Sequence, residues 1–121
     1  MINLRTNWPT KIMSNKYGIP ENELEKIRAR DKMCIYCHKE MVEPRTGDER
    51  GNWATIEHLN FLPPWNNHHT VAICCWSCNS SRGKKKILDW FKTSYCVEKN
   101  INIETVARPV AEFIKVFEKS G

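Results

Sequence analysis

The chain has 121 residues, of which 40% are hydrophobic, and its formal net charge of +5 comes from 19 Lys and Arg against 14 Asp and Glu. This length predicts a single domain whose small core would gain stability from a bound metal. The basic excess favours a polyanionic partner, and no run approaches the roughly 20 apolar residues of a membrane helix. The first residues lack the apolar core of a signal peptide, so we expect a cytoplasmic protein.

The N-terminal part is predicted to be irregular at first and helical afterwards. Residues 1–19 show little periodicity. Pro20 lies where the start of a helix tolerates proline, and acidic residues follow in the first turn. Leu24 and Ile27 form a short apolar stripe among basic residues. We therefore predict a helix over about residues 20–31 whose basic residues form a solvated face, with phosphate contact as the alternative.

The central part is predicted to contain two strands followed by a helix. Residues 44–51 and 60–70 are polar and contain glycine or proline, which indicates loops. Residues 53–59 alternate bulky and polar side chains, and residues 71–75 are apolar and partly β-branched, so both segments are typical of strands. Apolar residues at helical spacing then predict a helix over about residues 78–95.

The C-terminal part contains an apolar stripe with a period of about 3.6 residues. Its members are Val106, Val110, Phe113, Ile114 and Phe117. Pro109 interrupts the stripe, so the helix either starts near this residue or bends there. We divide the chain into a lead-in and helix over residues 1–32, a central domain over 33–95, and a helical tail over 96–121 that packs on the domain.

Six cysteines in a chain expected to be cytoplasmic indicate metal ligands rather than disulfides. Four of them form two C-x-x-C pairs, and these are Cys34, Cys37, Cys75 and Cys78. Each pair offers two thiolates to one tetrahedral zinc ion, and a closed site of this kind is structural. Cys74 competes with Cys75 as a ligand, but the C-x-x-C spacing favours Cys75 and leaves Cys74 as a small buried residue. Cys96 has no predicted partner.

An acid and a histidine, Glu57 and His58, lie at the predicted end of the first strand, and Asn79 directly follows the last cysteine of the second pair. Carboxylate and amide oxygens suit a hard cation such as Mg²⁺. A neutral imidazole with an ordinary pKa of about 6.5 can accept a proton from water. A Glu-His pair alone is most often an ordinary surface feature, and it gains weight here from the cysteine pairs that enclose it.

Taken together, these motifs resemble the HNH endonucleases that carry a four-cysteine zinc site, over residues 34–83. The resemblance implies an α+β protein with a small ββα-metal domain (strand, loop, strand and helix), a structural zinc, and flanking N- and C-terminal helices. It also implies a metal-dependent DNA endonuclease in which His58 is the general base. By the same resemblance, Glu57 and Asn79 hold the catalytic Mg²⁺ or Mn²⁺.

The chain departs from the family pattern at two positions. The acid before the histidine is Glu where Asp is commoner, which moves the carboxylate outward by one methylene. The asparagine that braces the loop before the second cysteine pair is replaced by Thr70. Polar residues that remain candidates for this bracing lie just upstream, namely Asn66, Asn67, His68 and His69. For the two histidines, a solvated loop and a further metal ligand are both open.

A basic cluster near the second motif predicts contacts with nucleic acid. By the resemblance, Arg82 and Lys84, together with Lys85, lie near DNA phosphates, where they give affinity without reading sequence. Helix solubility is the alternative for these residues. The expected partners are DNA and, as a source of specificity, a second copy of the chain or a larger protein. The expected setting is a phage, a mobile element or a restriction system in a bacterial or phage-infected cell.

Two other functions fit the same residues. The first is a zinc-stabilised module that binds nucleic acid without cleaving it, in which the Glu-His pair is incidental. The second is a structural zinc domain that contacts another protein through Trp8, Trp65 or Trp76. Metal-dependent cleavage of plasmid DNA separates the endonuclease from both. A salt-dependent shift of DNA without cleavage selects the binding module.

Overall fold

The architecture was obtained from a computed structural model that describes residues 18–47 and 49–118. The predicted irregular lead-in, including Trp8, lies outside these residues except for residues 18 and 19. The elements in chain order are α1 (Glu21–Arg30), a 3-10 turn (Arg50–Asn52), β1 (Ala54–His58), β2 (Val71–Cys75), α2 (Trp76–Arg82), α3 (Ile87–Trp90), α4 (Ser94–Lys99), α5 (Arg108–Phe113) and a π-helical turn (Ile114–Glu118).

The two strands pair antiparallel and form a two-stranded sheet. Their register places Ala54 opposite Cys75 and His58 opposite Val71. Every residue of β2 is buried, which accounts for its continuous apolar sequence, whereas β1 is buried at Ala54 and Glu57 and half-buried at its other positions. Both predicted strands are therefore confirmed, with β1 one residue shorter at each end than expected.

Helix α1 confirms the predicted N-terminal helix and docks on β2 through its C-terminal end. Leu24 and Ile27 are buried in the core, as their spacing predicted. The carboxylate of Asp31 is buried and accepts a hydrogen bond from the main-chain N–H of Ile73 at 3.0 Å. Arg30 binds this carboxylate and also donates to the main-chain oxygen of Val71 at 3.0 Å. Apolar packing and this polar link together fix α1 against the sheet.

The helix predicted over residues 78–95 is wrong in its extent, because α2 ends at Arg82. Gly83 follows with φ +56°, a left-handed conformation that side chains disfavour and that commonly ends a helix. The chain then turns and forms two short helices, α3 and α4. The apolar spacing across residues 87–91 predicts one continuous helix, but the conformation of Gly83 ends α2 before that stretch begins.

The C-terminal tail packs on the rest of the fold. Helix α5 begins at Arg108 with Pro109 in its first turn, so the predicted start near this proline is confirmed over the predicted bend. Val110 and Phe113 are buried in the common core. The carboxylate of Glu118 accepts hydrogen bonds from the first main-chain N–H groups of α3 at 3.0 Å. This contact caps α3 with negative charge at its positive end.

The fold class is α+β, with a small antiparallel sheet surrounded by short helices and a cluster of four cysteines. These elements agree with the predicted class, and helices precede and follow the sheet along the chain as predicted. Across residues 18–47 and 49–118, we find no helix whose length and apolar composition would allow it to cross a bilayer.

Candidate metal centre and adjoining groove

The two cysteine pairs meet in space, as the sequence predicted. The Sγ atoms of Cys34, Cys37, Cys75 and Cys78 all lie within 4.8 Å of one another. The Cys37 and Cys75 sulfurs are 3.9 Å apart. Tetrahedral zinc with Zn–S bonds of about 2.3 Å separates its sulfurs by about 3.8 Å. The cluster therefore has the ligands and the spacing to hold a metal ion such as zinc.

The protonation of the clustered thiols is compatible with cation binding. Hydrogen bonding with the neighbouring thiols raises the pKa of Cys34 and of Cys78 and lowers that of Cys37. Thiols this close and this buried share protons, because several thiolates together repel one another in a poorly solvated site. A divalent cation removes this conflict, since it binds all four as thiolates.

Polar groups around the cysteines support thiolate ligands. The main-chain N–H of Cys78 donates to the Sγ of Cys75 at 3.4 Å, and the hydroxyl of Tyr95 donates to the Sγ of Cys78 at 3.3 Å. Donors of this kind orient metal ligands and stabilise their negative charge. His38, with φ +66°, closes the first cysteine turn. No local pattern predicted this role for Tyr95, because its hydroxyl reaches the cluster from α4 through tertiary packing.

The other two cysteines are buried outside the cluster. Cys74 and Cys96 are both shielded from solvent. Burial raises the pKa of each thiol, so both are expected to stay protonated and unreactive. Selection of Cys75 over Cys74 as the cluster member, which was based on the C-x-x-C spacing, is confirmed.

A groove of about 620 Å³ opens between the end of β1, the helix α2 and the loop that follows β1. Its lining includes Glu57, His58 and Asn79, the three residues predicted to carry catalysis. Lys84 lies on the same lining, beyond the end of α2. Residues distant in sequence are therefore brought to one concave surface.

Glu57 directs its carboxylate largely into the protein. Its Oε2 accepts a hydrogen bond from the hydroxyl of Tyr36 at 2.5 Å and another from Nη1 of Arg82 at 2.8 Å. The Glu57 and Arg82 side chains are only 5% and 2% exposed. Burial raises the pKa of Glu57, while the charge of Arg82 and the Tyr36 hydrogen bond oppose that rise. The carboxylate thus already has a cationic partner within the fold.

Arg82 lies inside the protein, which differs from its predicted place at the DNA phosphates. Besides Glu57, its guanidinium donates to the main-chain oxygens of His58 and Leu59 at 3.0 Å and of Lys85 at 2.8 Å. Burial acts to lower the pKa of Arg82, and its surroundings, including the Glu57 carboxylate, raise it above the ordinary value. The charged group joins β1 to α2 and has almost no surface to offer a phosphate.

The side chain of Asn79 is oriented by the neighbouring strand. Its Nδ2 donates to Oγ1 of Thr55 at 2.9 Å and to the main-chain oxygen of Ile56 at 3.1 Å. Both amide hydrogens are therefore used on β1. Because Oδ1 lies on the other side of the amide, these bonds direct the oxygen away from the strand. Asn79 lines the groove, so this orientation suits an oxygen ligand for a cation.

The imidazole of His58 stacks on the indole of Trp65, with ring centroids 4.3 Å apart and an angle of 2° between the planes. The indole N–H donates to the main-chain oxygen of Asn60 at 2.7 Å, which fixes Trp65 over the histidine. The sequence had suggested Trp65 only as a contact for another protein. The one indication in the sequence that Trp65 could contact His58 was its position in the loop that follows the Glu-His pair.

Among the polar residues of the loop that leads into β2, Asn67 is the one whose side chain braces the loop. Its Oδ1 accepts from the main-chain N–H of His69 at 2.9 Å and of Thr70 at 3.2 Å. Thr70 adds a hydrogen bond from its hydroxyl to the main-chain oxygen of Pro64 at 3.1 Å. The two residues together hold the loop against the start of β2.

His68 binds α1 rather than the groove. Its main-chain N–H and its Nδ1 both lie 2.7 Å from Oε1 of Glu23. These hydrogen bonds lower the pKa of Glu23 from 4.5 to about 2. The alternative in which His68 adds a metal ligand has no support from this position, and the ring of His69 lies against His68 with centroids 4.1 Å apart.

Comparisons with protein-family models, with curated proteins and with solved structures found no match to this chain. The resemblance to HNH endonucleases therefore depends on the motif residues between Cys34 and Gly83. Two structural features bear on it: the cysteine cluster, which can hold a metal ion, and the groove that His58 and Asn79 line.

Proposed function

We propose that the chain is a metal-dependent DNA endonuclease of the HNH type, with β1, β2 and α2 as its ββα-metal core. The observation that carries the proposal is that Glu57, His58 and Asn79 line one groove of a fold that also has a cysteine cluster suited to structural zinc. A groove with a base, oxygen ligands and a nearby lysine has the groups that phosphodiester hydrolysis requires.

His58 is the proposed general base. Its imidazole accepts a proton from the water that attacks the phosphate, and the stacked Trp65 holds the ring in place. Arg82 also holds this residue in position, because its guanidinium donates to the main-chain oxygen of His58. The base is therefore fixed through both its ring and its main chain, which favours a constant geometry for proton transfer.

Asn79 and Glu57 are the proposed ligands of Mg²⁺ or Mn²⁺. Asn79 fits best, since its Oδ1 is directed away from β1 by the two bonds of its Nδ2. Glu57 fits in part, because its Oε2 is already bound by Tyr36 and Arg82 while its side chain still lines the groove. When bound, such a cation neutralises the charge that develops on the phosphate oxygens and the leaving group.

Lys84 and Lys85 are the proposed phosphate contacts. Both are exposed beyond the end of α2, and Lys84 lines the groove. They supply affinity for any sequence, so specificity would come from a second copy or a larger partner. The proposed setting is still the cytoplasm of a bacterial or phage-infected cell.

Incubation of zinc-loaded protein with supercoiled plasmid tests the proposal. We expect nicked or linear DNA with Mg²⁺ or Mn²⁺ and intact plasmid when a chelator is present. The ratio of nicked to linear product separates single-strand from double-strand cutting. An intact plasmid under all metal conditions, from protein that still shifts DNA in a salt-dependent way, would contradict the endonuclease.

One observation favours a second candidate, the zinc-stabilised nucleic-acid-binding module without catalysis. The negative charge of Glu57 is already balanced by Arg82 at 2.8 Å. A divalent cation beside this pair meets a guanidinium as well as a carboxylate, which weakens its attraction. Binding without cleavage in the plasmid experiment would select this second function.

A further inference from the structure

We infer that the groove takes an unstacked base of single-stranded DNA, with its backbone phosphate at Lys84. The inference rests on the proposed function, because it names the form of DNA that the same site binds. It comes from the loop segment over residues 60–65, which forms part of the groove wall. In this segment Phe61 is 40% exposed and Leu62 is 69% exposed.

The aromatic residues of this wall are held in place before any ligand arrives. The guanidinium of Arg82 lies over the ring of Phe61, 5.2 Å from its centroid. Trp65 is fixed by its hydrogen bond to Asn60 and by its stacking on His58. Phe61 and Trp65 both line the groove. A wall ordered in this way loses little conformational freedom when a ligand binds.

The lining of the groove combines groups that suit the two parts of a nucleotide. It includes the aromatic rings of Phe61 and Trp65 and the ammonium group of Lys84, which the exposed Lys85 follows in the chain. A base can stack on an aromatic ring while a lysine contacts the phosphate, which is how single strands are commonly bound. In a duplex the faces of the bases are covered by their neighbours, so only edges and backbone could reach Phe61.

The charge of the groove selects this occupant over an apolar peptide. Lys84 lies at the groove, the Glu57 charge is balanced by Arg82, and the chain has a net charge of +5. A polyanion gains from this excess of positive charge, whereas an apolar segment would leave the lysine unused.

The test measures binding to zinc-loaded protein without added divalent cation, so that cleavage plays no part. Fluorescence anisotropy compares a labelled oligothymidylate with a duplex hairpin of similar charge. Phe61→Ala should weaken binding of the single strand by about tenfold and leave the duplex nearly unchanged, because stacking on one aromatic ring accounts for about that factor or more. Phe61→Trp, which keeps a stacking surface, should retain the wild-type affinity.

Phe117→Ala is the matched control, since Phe117 is also exposed, at 51%, but belongs to the C-terminal π-helical turn. It should leave both affinities unchanged. Equal losses on single strand and duplex in Phe61→Ala, or no loss on either, would overturn the inference. An unlabelled apolar peptide that displaced the oligonucleotide from wild type but not from Phe61→Ala would also overturn it.

The outcomes for this inference and for the endonuclease are separable. If the protein cleaves plasmid and Phe61→Ala leaves its affinity for single strands unchanged, the endonuclease is supported and the inference is overturned. A Phe61-dependent preference for single strands in a protein that cleaves nothing supports the inference and overturns the endonuclease.

Discussion

The guanidinium of Arg82 donates from a single nitrogen, Nη1, both to the carboxylate of Glu57 at 2.8 Å and to the main-chain oxygen of His58 at 3.0 Å. This fork connects the last residue of α2 with the end of β1. Because both side chains are almost fully buried, the pair is shielded from the solvent that weakens surface ion pairs. The position of His58 therefore depends on Arg82, which is buried and does not lie at the surface as the sequence predicted.

Loss of Arg82 should destabilise the fold strongly. Arg82→Met leaves the Glu57 carboxylate buried without its cation, and breaking a buried pair on one side typically costs about 3–5 kcal/mol. The free energy of unfolding, measured by chemical denaturation of zinc-loaded protein, should fall by about this amount. The double variant Glu57→Leu/Arg82→Met should recover part of the loss. A change of less than about 1 kcal/mol in Arg82→Met would contradict a structural role for the pair.

Zinc should be bound by the cysteine cluster and required for the fold. Native mass spectrometry should detect a single zinc ion in the wild type and none in Cys37→Ser or Cys78→Ser, with loss of cooperative unfolding. Cys96→Ala is the control, since that thiol is buried outside the cluster and its loss should leave zinc bound. A folded Cys37→Ser/Cys78→Ser double variant with unchanged melting would refute this assignment.

His58→Ala should remove most cleavage while zinc and DNA binding persist. General-base catalysis typically contributes about 10²–10⁴-fold, so the single-turnover rate should fall within that range. Excess Mg²⁺ or Mn²⁺ should not restore it, because the base does not hold the ion. A rate within about threefold of wild type, or rescue by added metal, would require that His58 be assigned to another role.

Asn79→Ala should instead change the dependence of cleavage on metal. The concentration of Mg²⁺ that gives half-maximal activity should rise by about tenfold or more, because even groups that only orient a metal ligand contribute about 10–100-fold to metal affinity. Thr55→Val removes one of the two acceptors that orient the Asn79 amide and keeps the Oδ1 atom, so it should raise this concentration by less than Asn79→Ala does. An unchanged Mg²⁺ dependence in Asn79→Ala would exclude this residue as a ligand.

The Glu23 and His68 pair should give the chain a specific sensitivity to acid. The pKa of Glu23 is lowered from 4.5 to about 2, so its contribution to stability is present above pH 4.5 and is lost as the pH falls towards about 2. The ¹³C shift of the Glu23 carboxyl should therefore stay constant well below pH 4.5. In His68→Ala the pKa of the same carboxyl should rise towards 4.5, because the imidazole is lost while the main-chain N–H of residue 68 remains, and an unchanged pKa would contradict the pairing.

The sequence predicted those features of the fold that depend on residues close together in the chain. The C-x-x-C spacing identified Cys75 over Cys74, because two thiolates on one short turn must point to the same side. The alternation before His58 located β1 to within one residue at each end. Pro109 marked the start of α5, since proline fits the first turn of a helix and disrupts its interior.

The contacts of the candidate site depended on tertiary packing and could not be predicted in this way. Arg82 precedes a run of lysines, so its sequence context indicated a surface residue, and only the approach of α2 to the end of β1 buries it. Glu57 meets Tyr36 and Arg82, which are respectively 21 and 25 positions away along the chain. Trp65 likewise reaches His58 only because the intervening loop folds back.

Tyr36 lies between the two cysteines of the first pair and also donates its hydroxyl to Glu57 at 2.5 Å. Release of the metal would free the turn that carries this donor, and the Glu57 and Arg82 pair behind His58 would lose a support at the same time. For the proposed nuclease, the zinc content should thus determine the fraction of active molecules and leave the cleavage rate of each active molecule unchanged. A half-loaded preparation would behave as a mixture of active and inactive molecules, with the burst amplitude following the bound zinc and the rate per active molecule staying constant.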